Sequence, residues 1–461
     1  MPYVNTTGST DQIAESAAKI YNQVIRNSVA GDALAAYITD IFACWKVLLV
    51  SSVTAVVLGY LYLFVIRCIG GLIVWFSIII VLLGLLAGGG YVFLKKDELY
   101  PEPHDYNKYM LWTAYTLWGI AALYAFCVCC CLNAIKIGIS VYKTTAQYIG
   151  ANMHIFLLPF LSYLMATIWL SIWVVSAIYV MSVGKPEPRE GYEFTTEMKW
   201  TEETRYIFFF QVFMLFWLNA FIMGMAQFVI GASACIWYFE CNGDSGGRGT
   251  VGRALWWGYR YHMGSVAFGS FMIAVCQLIR FLFEYYRKKI QSMAPTKIVK
   301  ALLCMTRYLL YIMEKCVKFM TKNAYIQVAL TNENFCVSAW QAFALIVKNA
   351  HRYGWGSSIG AALNWFGICS IAAVNGFGVY LFLTNVDYYV TSIQQPIAPV
   401  IVVIGITVVI ARGFLAIFAF SSDAILGAFL LDEELRFAGS SRPEYMQEFA
   451  EQLKNKGKGC C

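Results

Sequence analysis

The feature that most constrains this chain is a set of apolar stretches too long for a soluble core. Residues 44–65, 69–94, 110–132, 153–182, 206–238, 261–283, 358–384 and 398–427 are each almost free of charged side chains. At a rise of ~1.5 Å per residue, ~20 apolar residues suffice to cross the ~30 Å hydrocarbon of a bilayer. A ninth stretch, 297–320, is apolar but interrupted by lysines. Only 13% of the chain is charged and 59% is hydrophobic, whereas a soluble domain carries ~25% charged residues. That surface cannot be hidden in one globule, which excludes a soluble enzyme, a disordered protein and a nucleic-acid binder. The fold class that follows is all-α, a polytopic transmembrane helix bundle of about nine spans. The small residues Gly84 and Gly88–Gly90 are expected to let helices approach closely.

The division along the chain is a polar segment 1–43, a bundle 44–430 and a tail 431–461. Nothing in residues 1–40 resembles a signal peptide. Ser9 and Gln12 have capping-box spacing, and Ile13, Ala17, Ile20 and Val24 share a helical face. An acidic balance there and the glycosylation sequon at Asn5 favour an N-terminus outside the cell or in a lumen. Segment 133–152 carries Lys136 and Lys143 without acids and reads as an inside loop. Segment 183–205 has four basic and six acidic residues and reads outside. The stretch 239–260 holds Arg248, Arg253 and Arg260 and reads inside. Segment 284–357, with eleven basic and three acidic residues, also reads inside. Two inside assignments flanking 261–283 leave either a re-entrant segment or a hairpin with 297–320, hence seven or nine crossings.

Residues 335–353 differ in kind. Cys336, Trp340, Phe343, Val347 and Ala350 form a helical apolar stripe beside Ser338, Gln341, Lys348 and Arg352. This predicts an amphipathic helix at the inner interface, packing against the bundle or gating it. The fifteen cysteines have no zinc spacing, and four scattered histidines make no metal cluster, so no metal or cofactor is implied. No phosphate-binding loop or nucleophile arrangement is present, and no enzyme activity is expected.

Charge inside an apolar run costs several kcal/mol unless it is paired or wetted, so Arg412 and Asp423 in 398–427 stand out. They share a helical face. Asp423 reads either as an interfacial residue or as a coupling or gating group. Aromatics make 16% of the chain. An ammonium without hydrogen-bond donors is recognised by aromatic faces, worth ~2 kcal/mol when desolvated. Trp75, Trp169, Trp173 and Trp217 lie in spans and suit either packing or such a cage.

Longer strings carry a resemblance. Asp423-Ala-Ile-Leu-Gly-Ala-Phe-Leu-Leu-Asp432-Glu433-Glu434, followed by Gly439-Ser440 and Pro443-Glu-Tyr445-Met446, is similar to the closing signature of the choline transporter-like family (solute carrier family 44). Asn323-Ala324-Tyr325 with Asn334-Phe335-Cys336, and Tyr261-His262-Met-Gly264-Ser265, resemble two internal strings of that family. Trp217, Phe221, Gln227 and Gly231 fit its middle span, and Arg67 to Trp75 its early hairpin. Gly427, Phe437 and Arg412 stand where Cys, Asn and His are usual. The likeness covers about residues 41–450 and the last nine of the family's ten spans. It implies nine crossings, a cytosolic C-terminus and an integral protein of the plasma membrane or an organelle.

The resemblance implies transport of choline or a related small cation through the bundle, with the lipid bilayer as the other partner. Expected substrate contacts are Trp75, Trp169, Trp173, Trp217 and Gln227, with Asp423 for coupling or gating. A non-transporting structural subunit and a lipid-handling protein such as a scramblase are the alternatives. A polar cavity would favour transport, a packed interior a scaffold, and a lipid-open groove lipid handling. The terminal Cys460-Cys461 beside Lys454, Lys456 and Lys458 reads as a lipidated or an unmodified tail.

Overall fold

The computed structural model describes residues 39–41, 43–99, 105–130, 132–188, 196–242, 247–293, 297–392, 396–435, 442–448 and 450–451. The expected helical face at Ile13–Val24, the Asn5 sequon, and Cys460 and Cys461 lie outside the described residues.

The apolar runs are helical, the backbone solution that leaves no amide unpaired in hydrocarbon. In chain order the helices are α1 (Trp45–Leu99), α2 (Asp105–Cys130), α3 (Leu132–Ala151), α4 (Leu157–Ser182), α5 (Glu202–Glu240), α6 (Thr250–Arg260), α7 (Met263–Met293), α8 (Lys297–Thr331), α9 (Phe335–Lys348), α10 (Ala350–Asn385), α11 (Asp387–Ser392) and α12 (Ile397–Leu435). A 3₁₀ turn, Met153–Phe156, leads into α4. Among the described residues, α1, α2, α4, α5, α7, α10 and α12 are long and apolar enough to cross a membrane.

Four expectations are refined. Stretches 44–65 and 69–94 are joined without a loop as α1, whose only non-helical residue is Ile69 (φ −124°, ψ 16°). Gly70-Gly71 follows it, which loosens the helix locally without supplying a turn. Ile69 is a kink between two helical pieces, and the 51-residue apolar part they make up has enough residues for two crossings of ~20 each. Segment 133–152, expected as a loop, is mostly α3, whose residues Ile135, Ile137, Tyr142, Thr145, Tyr148 and Ile149 are buried around much of the helix. Residues 335–353 are not one helix. It ends at Lys348, where the Asn349 side chain turns back to the Leu345 carbonyl, a local bond that competes with continuing the helix. Within 183–205 lies a short antiparallel ribbon, β1 (Lys185–Pro188) paired with β2 (Thr196–Lys199), Lys185 opposite Lys199. Thr201 then caps α5 by accepting from the Thr204 amide at 3.3 Å, and Glu202 and Glu203 complement the helix dipole.

Contacts divide the chain into two compact units, residues 1–64 with 364–415 and residues 65–363 with 416–461. In the first, Cys44, Val47, Val379, Leu383 and Val403 form a buried cluster. Beside it Asn375 is held three ways. Its amide donates to the Ser51 carbonyl (3.0 Å) and Thr407 Oγ1 (2.7 Å), and its Oδ1 accepts from Thr54 Oγ1 (2.7 Å). An apolar groove of about 510 Å³, lined by Val50, Val53, Val57, Val374 and Phe382, opens on this unit's surface.

The second unit has the larger core. The C-terminal halves of α5 and α12 and the end of α8 contribute Phe228, Tyr238, Tyr325, Phe418 and Phe429, all fully buried. Glycine sets two close approaches. A Cβ on Gly269 of α7 would lie 2.7 Å from both the Tyr325 hydroxyl and the Phe335 ring, and one on Gly360 of α10 would fall on the Tyr142 hydroxyl. Burial also pushes the Tyr148 phenol of α3 upward; it hydrogen-bonds Ser233 on α5.

After α12 the chain returns to this core. Arg442 is ion-paired with Asp432, whose side chain is 0% exposed. Tyr238 donates to the same carboxylate (3.3 Å), and Asn242 donates to the Arg442 carbonyl (2.7 Å). Met446 is fully buried, and Lys143 lies 5.3 Å over the Tyr445 ring. Residues 442–446 are thus strapped to the ends of α5 and α12.

Candidate functional site

Glu314, Lys318 and Lys322 recur every fourth residue of α8, so they line one face of that helix. Glu314, with a 9% exposed side chain, accepts from Arg280 of α7 and from Lys318, both at 2.6 Å. Lys322 reaches across to α12 and pairs with Asp423. Its ammonium also lies 5.1 Å above the Phe420 ring, one turn before Asp423. In hydrocarbon an unpaired carboxylate costs several kcal/mol, and this pairing removes that cost.

The pair stands beside a cavity of about 360 Å³ walled by α5, α7 and α8. Its polar lining comes from Asn219 and Gln227 of α5, Gln277 of α7, and Lys318 and Lys322 of α8, with Phe319 as its aromatic wall. On the other side of the pair, Asp423 borders a void of about 20 Å³ with Asn323, Gln327, Tyr353 and Gly427. That void has room for about one water. Tyr353 donates to Asn323 Oδ1 at 2.8 Å, and Gln327 donates to Gln341 of α9 at 3.4 Å. The Lys322–Asp423 pair therefore separates a solute-sized space from a small polar void. A carboxylate beside an aromatic face is suited to holding a small cation.

Of the residues expected at a substrate site, Gln227 lines the cavity, and Asp423 lies outside its lining, paired with the cavity residue Lys322. The four tryptophans are placed elsewhere. Trp217 donates to the Ala267 carbonyl at 3.1 Å and packs against Phe213 and Phe271. Trp173 donates to the Gln211 carbonyl at 2.9 Å, joining α4 to α5. The Trp169 Nε1 is buried and finds no partner among the described residues, and Trp75 is half-buried on α1. No ring contact links these four among the described residues. Lys322, Phe420, Asn219, Gln277 and the Glu314–Lys318 pair escaped sequence reasoning. The four-residue charge spacing on α8 was their available signal, and it was read as loop charge instead.

Apolar helices of spanning length, packed around a polar cavity with a charged wall, define an integral membrane protein with a place for a small solute. The family described as plasma-membrane choline transporter matches residues 115–434. The chain belongs to that family, a family of membrane transporters. Choline transporter-like protein 2 of Danio rerio is 26% identical over 471 residues, which cover 89% of this chain and 67% of that protein. The protein of the same name from Dictyostelium discoideum is 26% identical over 474 residues, covering 98% and 73%. Choline transporter-like protein 1 of Caenorhabditis elegans is 28% identical over 492 residues, covering 96% and 62%.

Proposed function

We propose that this chain carries choline or a related small amine across the plasma membrane, by way of the cavity walled by α5, α7 and α8. The observation that carries the reading is Asp423, a carboxylate within an apolar helix, whose cation partner stands at the cavity wall beside the Phe420 ring. Asn219, Gln227 and Gln277 supply amide groups for a substrate hydroxyl. Alternating access of the cavity is the mechanism consistent with a family of transporters. In this reading residues 1–43 lie outside, 44–430 form the bundle and 431–461 face the cytosol. Trp75, Trp169, Trp173 and Trp217 then support the helices that position the cavity.

The test is uptake of radiolabelled choline by proteoliposomes holding only this chain. Saturable uptake, inhibited by unlabelled choline and reduced by Gln277→Leu, is expected. Vesicles that accumulate no more than protein-free controls would refute the reading. The apolar groove of the first unit favours a second reading, lipid handling. Exchange of a fluorescent lipid between leaflets of the same vesicles, without choline uptake, would support it instead.

A further inference from the structure

The cation place described above is already filled by the protein itself. Lys322 presents a primary ammonium to Asp423 and makes a cation–π contact over the ring of its neighbour Phe420. Asp423 is 15% exposed and Lys322 31%, so the pair is largely withdrawn from water. We propose that Lys322 is a tethered competitor of the substrate, occupying the carboxylate-and-ring site when no amine is bound and moving aside when one enters. The proposal rests on the transport reading and names the group that an incoming cation must displace.

Three features make the exchange physically reasonable. A lysine stem has four rotatable carbons and a compact head, so the ammonium can leave Asp423 without backbone movement. The side chain already borders the cavity, where Asn219, Gln227 and Gln277 offer amide oxygens to receive it. One monocation replaces another, so Asp423 is not left unpaired in a low-dielectric setting, a state that would cost several kcal/mol. The other acid nearby, Glu314, cannot serve as the exchange partner, because Arg280 and Lys318 both hold it. Lys322 lines the cavity and Asp423 lines the polar void around Asn323 and Tyr353, so the pair stands between the two.

A tethered competitor weakens apparent substrate affinity by the fraction of time it occupies the site. Lys322→Gln and Lys322→Met are therefore expected to lower the KM for choline about fivefold or more. Turnover should fall in parallel, because nothing then drives the amine off Asp423. Asp423→Asn should raise KM about tenfold, and adding Lys322→Gln to it should bring no recovery. Tetramethylammonium binding, read as a thermal shift of the purified protein, reports on the site independently of transport. It should stabilise both lysine variants more than wild type, and leave the Lys322→Gln/Asp423→Asn double variant unmoved. Wild-type uptake with an unchanged or raised KM in both lysine variants would overturn the tethered competitor and leave the transport reading intact. No wild-type uptake, with tetramethylammonium still stabilising the lysine variants through Asp423, would overturn the transport reading and support the site.

Discussion

Replacing Asp432 by Ala removes the carboxylate that anchors residues 442–446. The Arg442 guanidinium, 11% exposed in the native state, loses its ion-pair partner. Breaking one side of a buried pair costs about 3–5 kcal/mol, because the remaining charge is stranded. Here the charge has an escape, since Arg442 can swing into water if its segment detaches. Detachment forfeits the Asn242 hydrogen bond, worth about 1 kcal/mol, and the burial of Met446, worth about 1.5–3 kcal/mol. The cheaper route is release of the strap, shifting its docking equilibrium by about 3 kcal/mol. That is roughly a hundredfold rise in the open population. Chymotrypsin cleavage after Tyr445, half-buried with Lys143 over its ring when docked, reads that population when opening is fast relative to cutting. The Asp432→Ala variant should be cut about a hundredfold faster than wild type, with the thermal midpoint of the bundle little changed. Asp432→Leu with Arg442→Met restores an apolar contact and should recover much of the lost protection, short of the native rate because the Tyr238 hydroxyl loses its acceptor. Cleavage of Asp432→Ala at the wild-type rate, or a double variant as labile as the single one, would refute the argument.

Two further outcomes are expected. Asn375→Ala removes three hydrogen bonds from the first unit, leaving Thr54 only its bond to the Ser51 carbonyl, and should destabilise that unit by about 2–4 kcal/mol in denaturant titrations; Asn375→Gln, which keeps an amide at the site, should lose less. Gly269→Ala places a methyl 2.7 Å from Tyr325 and Phe335 and should cost about 1–3 kcal/mol in the same measurement, whereas Ala at Gly264, which meets nothing within 4 Å, should cost under about 1 kcal/mol.

The spanning helices were legible because their apolar length has no soluble alternative. The runs that became α4, α5 and α12 needed no tertiary information. What escaped was decided by partners remote in sequence. α3 is too short and too interrupted by Lys136, Lys143 and Thr144-Thr145 to stand out as an apolar run, although Ile135, Tyr142 and Ile149 share a buried side. The α1 junction carries no proline or turn run, and the two helical pieces meet at a kink at Ile69 with no loop between them. Asp423 stood out because charge in an apolar run is costly, yet its partner Lys322 lies 101 residues earlier. No local pattern links the two, and Lys322 was absorbed into a count of basic residues. The tryptophans were chosen for their chemistry, but Trp173 and Trp217 spend their indole N–H groups on carbonyls of neighbouring helices. Aromatic content signals that rings are present without saying what they face.

The contact between Gly360 and Tyr142 has a consequence for how sequences of this kind can drift. The hydroxyl of Tyr142 fills the space where a side chain at 360 would begin, and its ring packs on Phe418 at 5.3 Å. Neither position is free to vary alone. A methyl at 360 is tolerated only after the tyrosine is shortened, and shortening the tyrosine first leaves a hole beside Phe418. The two sites form a historical lock in which the order of changes matters, with an unfavourable intermediate on either route. Across homologues, lineages bearing a side chain at the position equivalent to 360 should lack the long aromatic at the equivalent of 142, and the two states should rarely mix.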